Sequence, residues 1–481
     1  MKHHVFFLIL LPSTLYGLLD FGSKTYVALP QYDAQRCQET ALWHTHTTMD
    51  VGNPLGISLQ LVPFFSTMIQ ASTTAKALTL QESGTLVIMS DRFGDHTNAV
   101  LPYHAIVHNP TTNPPEYNAT LTLLPSFTAL GTTTTLFYDA RDSFPGFSCS
   151  ALMPLYYVWA TLMQSGGTAT MEQYFTGIFS QATPTQAALK SGLLGKHKHL
   201  VFGPLDLIIR YTALESPHNY VTPFIGVGIT LQQRPQQTYL FDYISTTYGH
   251  HSLIAGFDTG ATLFQDEVFM SEIIFQTHYT YLFGGDESRI LSVLNDDGSI
   301  PAYGYYLLGA EINKKGVFPL ANILQQLVHR SSTHAFDLSC LLAVTWQDFT
   351  GNIGYEFFCR QAERITVLNW PNTSYAIASP LYNTTTTFTD AASQATVDGA
   401  SPSSDDPLIL LSNRLLTQDM INTEPAESHA LAGMRLTLGI GINTTLNAIP
   451  IACGIGLSYQ QGLTLATPSL LGCFAKGMIS F

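Results

Sequence analysis

The chain has 481 residues, enough for one large domain or two to three ordinary ones. Only 11 % of them are Asp, Glu, Lys or Arg, against roughly 25 % in a soluble domain, so something other than charge covers the surface. A net charge of −14 argues against a nucleic-acid partner, and abundant aromatic residues argue against disorder.

The first residues, "MKHHVFFLILLPSTLYG", combine a basic start, an apolar run from Val5 to Leu11, then Pro12 and small residues. This is the pattern of a secretory signal at 1–17, with cleavage near Gly17 and no later than residue 22. The alternative, a membrane anchor, fits less well, because the run falls short of the roughly 18–20 apolar residues of a spanning helix.

From there the apolar residues recur with period two, which predicts strands. Fourteen are expected, at 55–70, 118–139, 148–163, 200–213, 220–232, 252–264, 268–283, 303–312, 318–329, 334–347, 353–365, 429–442, 448–459 and 469–481. In "MRLTLGIGINTTLNAIPIACGIGLSY", Leu436, Leu438, Ile440 and Ile442 point one way and Arg435, Thr437, Gly439 and Gly441 the other. After the turn, Ile449, Ile451, Cys453, Ile455 and Leu457 continue the apolar stripe. The stretch "FDLSCLLAVTWQDFTGNIGYEFFCRQ" repeats the pattern, with Trp346 and Tyr355 flanking its turn. Two difficulties stand against it. Pro63, Pro125 and Pro154 fall inside proposed strands, where each removes a ladder hydrogen bond. Segment 71–117 holds "GTLVIMSD" and "VLPYHAIVHN", two further candidate strands that would make the count sixteen, within an overall range of 12–16.

A soluble sandwich with this many strands would show a Lys- and Glu-rich solvated face, which these strands lack. Bulky apolar residues on one face and small or polar ones on the other suit a closed transmembrane barrel instead. The final "AKGMISF" adds an aromatic last residue, Phe481, with Ile479 two before it. On these features the chain resembles the outer-membrane β-barrel proteins of Gram-negative bacteria. The resemblance implies an all-β, antiparallel transmembrane barrel of about fourteen strands in the bacterial outer membrane, with both termini periplasmic. It implies that Phe481 and Ile479 act as the signal read by the insertion machinery. Residues 18–54 become a periplasmic segment or plug, and 55–481 the barrel, with long outer loops at 71–117, 164–199, 284–302 and 366–428.

Inward positions carry Asp206, Arg210, Asp258, Glu272, Asp337, Glu356, Arg360, Arg435 and Lys476. Opposed charges of this kind line a selective pore, or they fill a closed interior with salt bridges. Inward glycines at Gly226, Gly228, Gly439, Gly441, Gly454 and Gly456 are expected to leave room for a solute. No catalytic site and no metal or other cofactor is expected. The histidine clusters His44–His46, His197–His199 and His250–His251 lack companion ligands at fixed spacing, and Asp258, Glu272 and His278 on one hairpin do not make a catalytic set by spacing alone. The cysteines read as small hydrophobes, with disulfides Cys340/Cys359 and Cys453/Cys473 left open. Four Asn-x-Ser/Thr sites, at Asn118, Asn372, Asn383 and Asn443, read as turn residues in a bacterial barrel.

The leading expectation is a porin-like channel for passive passage of small solutes. The alternatives are a hydrophobic-molecule transporter resembling the fatty-acid transporter barrels, a surface adhesin or antigen displayed on loop 366–428, and, last, a secreted soluble all-β protein. Expected partners are outer-membrane lipid, the insertion machinery and small solutes, with self-association open and no nucleic acid.

Overall fold

The computed structural model describes residues 26–28, 56–71, 85–90, 99–100, 117–140, 143–165, 196–216, 218–232, 242–244, 249–294, 308–311, 318–370, 375–377, 416–446, 449–464 and 467–481, with residues 75, 78, 234, 236 and 237. Its framework is a set of strands that we number β1 (Ile57–Met68), β2 (Tyr117–Asp139), β3 (Phe147–Ser165), β4 (Leu205–Tyr211, prolonged by Lys196–Phe202), β5 (Asn219–Ile229), β6 (Ser252–Gln265), β7 (Phe269–Leu282), β8 (Thr333–Trp346), β9 (Phe349–Arg360), β10 (Leu431–Leu446), β11 (Ile449–Gly462) and β12 (Leu470–Ser480). Each pairs antiparallel with the next along the chain, and β12 pairs back onto β1. The result is a closed up-and-down barrel, an architecture without free edges. Phe481 N–H donates to Ile57 O at 2.8 Å, completing the closure.

The barrel has twelve strands, the low end of the expected range. The two strands expected at 303–312 and 318–329 form short pieces outside it. Leu308–Glu311 pairs with Phe318–Pro319 and Tyr375–Ile377, while Gln325–Arg330 lies between Gly285–Ile290 and Ile365–Val367 in a three-stranded sheet. A period-two pattern marks any half-buried strand, and this small sheet has its own buried face at Val328 and Ile365. Removing a pair leaves the up-and-down parity of the later strands unchanged. Thr85–Ser90 likewise pairs beyond the ring, on Tyr117–Thr122 of β2, and Ala99–Val100 pairs in parallel with Thr85–Ser90.

Connections 140–146, 212–218, 266–268, 347–348 and 447–448 share the end where β1 begins, and the much longer 69–116, 166–195, 230–251, 283–332 and 361–430 share the other with the short 463–469. Tyr26–Ala28 pairs in parallel with Asp242–Ile244, within the long connection 230–251 and so away from Ile57. Burial alternates along the strands. On β10, Arg435 and Thr437 are buried while Leu436, Leu438 and Ile440 are exposed on the outer wall. Aromatic residues gather near both rims: Phe147–Tyr211 and Phe264–Phe269 by the short turns, Tyr157–Trp159 and Tyr281–Phe283 by the long connections. Two such belts around an apolar band match a lipid-spanning wall.

The prolines are absorbed within the barrel. Pro154 packs on Gly203, where an added Cβ would lie 2.6 Å from the proline Cγ, and Gly203 N–H donates to Pro154 O at 2.8 Å. The contact coincides with the break between Phe202 and Leu205 in the fourth strand. Pro125 stays in ladder with Leu162.

Candidate functional site

One row of inward residues crosses six consecutive strands in direct register: Asp258 on β6, Gln276 on β7, Ser339 on β8, Glu356 on β9, Arg435 on β10 and Gln460 on β11. Gln276 Nε2 donates to Asp258 Oδ1 at 3.2 Å, and Ser339 Oγ donates to Gln276 Oε1 at 3.2 Å. Arg435 donates to Glu356 Oε2 at 3.1 Å and to Gln460 Oε1 at 2.7 Å, and Gln460 Nε2 passes on to Pro468 O at 3.1 Å. At the β4 side, Arg210 donates to Ser150 Oγ at 2.6 Å, lies 3.6 Å from Asp258 and stacks over Phe224. Charged side chains buried in this way are held by mutual bonds.

All nine residues singled out from the sequence face the lumen. Asp337 lies 3.6 Å from His278, and Arg360 donates to Ser428 Oγ and reaches Glu363 at 3.7 Å. Asp206, Glu272 and Lys476 are each at most 4 % exposed. The inward glycines Gly226, Gly228, Gly439 and Gly456 do not leave the room expected of them, because neighbours occupy it. A Cβ on Gly456 would fall 2.2 Å from the Phe474 ring, on Gly439 2.9 Å from Asn352 Oδ1, and on Gly228 2.7 Å from Asp206 Oδ1.

The closing seam has a break of its own, besides the one between Phe202 and Leu205. β1 and β12 keep one register along their length, yet the rungs Val62/Lys476 and Pro63/Ala475 are missing between Leu61/Gly477 and Phe64/Phe474. Pro63 has no N–H to offer there. On the outer surface over this gap lies an apolar groove of about 900 Å³, its lining including Pro63, Phe65, Leu130, Ile455, Leu457 and Ala475. Small Cys473 and Ala475 sit between bulkier side chains of β1 and β11, and that difference in size makes the depression.

Beyond the barrel rim, the three-stranded sheet holds a buried charge cluster. His250 Nε2 lies 2.5 Å from Glu287 Oε1, and Glu287 also binds Arg289. Arg330 donates to Glu363 at 3.2 Å, and Arg289 approaches the same carboxylate at 3.5 Å. Burial pushes His250 toward its neutral form, against the pull of Glu287. Although burial opposes ionisation, Arg289 and its neighbours hold the Glu287 carboxyl down at about 2, and Glu363 is also held below the usual carboxylate range. The five described cysteines are free.

No family model matches the chain, and no curated protein does. Solved structures similar to it include an outer-membrane channel from Pseudomonas putida F1 (8 % identity, TM-score 0.35, covering 90 % of this chain and 97 % of that one). Another is the toluene transporter TbuX from Ralstonia pickettii (9 %, 0.26, 96 % and 98 %). A third is the outer membrane protease OmpT from Escherichia coli (7 %, 0.22, 91 % and 99 %). The barrel itself is established by the strand pairing above.

Sequence reasoning marked the charged members of the lumen row but not their neutral links, Gln276, Ser339 and Gln460. Their inward parity was visible, but the register that joins them across strands was not. The groove was also missed, since it depends on the relative size of side chains from strands far apart in sequence.

Proposed function

We propose that the protein is an outer-membrane channel whose cargo is a small hydrophobic molecule, in preference to a general water-filled porin. The observation that carries this reading is the apolar groove over the two-rung gap in the β1–β12 seam. An apolar molecule already in the bilayer can settle there through van der Waals contact with a matching surface, since lipid leaves no further hydrophobic gain to make. The bonded, buried row in the lumen supports the same preference, because paired charges offer little to a passing hydrated ion. In this reading the short-turn end faces the periplasm and the long connections face outward.

The test pairs single-channel conductance of the refolded protein in a planar bilayer with uptake of a hydrophobic dye by cells that express the protein and lack other such channels. Uptake with little or no stepwise ion current is the expected result. The variant Ala475→Phe, which fills the groove, should abolish uptake while the barrel still folds. Large ohmic openings with no effect of Ala475→Phe would overturn the proposal in favour of a porin.

A further inference from the structure

Asn352 sits on the inner face of β9, in register with Ala343 on β8 and Gly439 on β10. It is 8 % exposed, its carboxamide lies over Gly439, and neither its Oδ1 nor its Nδ2 has a hydrogen-bond partner. Two residues along on the same face of β10, Thr437 is fully buried and its Oγ1 is also unpartnered. Ile274, Leu341 and Ala343 lie on one side and the Phe474 ring over Gly456 on the other, with Ser458 in register with Thr437 and Thr350 two residues from Asn352 as the nearest polar side chains. Buried polar groups gain from being bonded, so two unpartnered ones on neighbouring strands are a place where another molecule can supply the bonds.

We propose that Asn352 and Thr437 form a binding point in the lumen for one uncharged polar group, a hydroxyl or an amide, on an otherwise apolar cargo. The proposal rests on the hydrophobic-channel reading and narrows its cargo to amphipathic molecules. A carboxamide presents one acceptor and one donating NH2, and a hydroxyl or amide returns one of each. A carboxylate offers only acceptors, and beyond Ala343 it would meet the Glu272 carboxyl. The lining of the outer groove itself includes Asn352, Gly439 and Phe474. The groove thus runs from the seam across β11 and β10 to the strand that carries Asn352.

The test is nuclear magnetic resonance of the full-length protein refolded into lipid nanodiscs, with isotope-labelled asparagine and phenylalanine. Asn352→Leu identifies the Asn352 amide signal, and Asn352→Ser does so if the first variant does not fold. The probes are decanol and decane. The expected result is that both shift the Phe474 ring signals, while only decanol shifts the Asn352 amide, saturably. If both probes reach Phe474 and the amide ignores decanol, or answers both alike, the binding point is overturned while the channel reading stands. If neither probe reaches Phe474, the channel reading falls and the binding point with it.

Discussion

Glu356 and Arg435 face one another in register across β9 and β10, 3.1 Å apart, with side chains that are 0 % and 4 % exposed. Removing one partner leaves a buried, uncompensated charge in the lumen. Arg435→Met should destabilise the barrel by about 3–5 kcal/mol, and Glu356→Leu added to it should recover most of that loss. Urea titration of the heat-modifiable folded band measures both. Equal midpoints for the single and double variants would refute the pairing.

The gap at Pro63 predicts a seam that gains from repair. Pro63→Val supplies an N–H toward Ala475 and should raise stability by about 0.5–1.5 kcal/mol, the usual net value of one hydrogen bond. If the gap serves passage, the same variant should slow dye uptake. A stabilised barrel with unchanged uptake would separate the seam from function.

A covalent bridge makes the sharper test. Leu61 and Gly477 are direct partners on the two sides of the seam, and directly opposed residues in antiparallel strands lie at disulfide distance. In a background lacking the native cysteines, Leu61→Cys with Gly477→Cys should block uptake when oxidised and restore it on reduction. Uptake indifferent to the reductant would place the route elsewhere.

Acid should loosen the cluster outside the barrel before it touches the barrel. The folded value of His250 lies below 6.5, so its contribution is present above that pH and declines as pH falls toward the folded value. Glu287 and Glu363 are also held down, so their contribution is present above about 4.5 and is lost as pH falls further. Both effects have the same sign. Limited proteolysis of connection 283–332 should quicken between pH 7 and 5.5, and again by pH 4. His250→Gln should remove the first step and keep the second.

Much of the lumen was legible because strand parity is a local property. Once Leu436, Leu438 and Ile440 are read as lipid-facing, Arg435 must point inward, and the same reasoning placed all nine charged residues. What those residues do to one another was not legible. Arg435 meets Gln460 because of the β10–β11 register, and Asp258 meets Gln276 because of the β6–β7 register, and pairing across strands is a tertiary fact. Sequence alone therefore determined an alternating, all-β chain with an apolar outer wall and a polar interior. Only the tertiary structure decided that the ring closes at twelve strands, because the pattern over 303–329 serves a buried sheet as well as it would serve a barrel. It also decided that Gly456, Gly439 and Gly228 are covered by Phe474, Asn352 and Asp206, and that two rungs of the seam are missing at Pro63. Both follow from which side chains lie next to one another across the sheet, which the order of residues along the chain does not state.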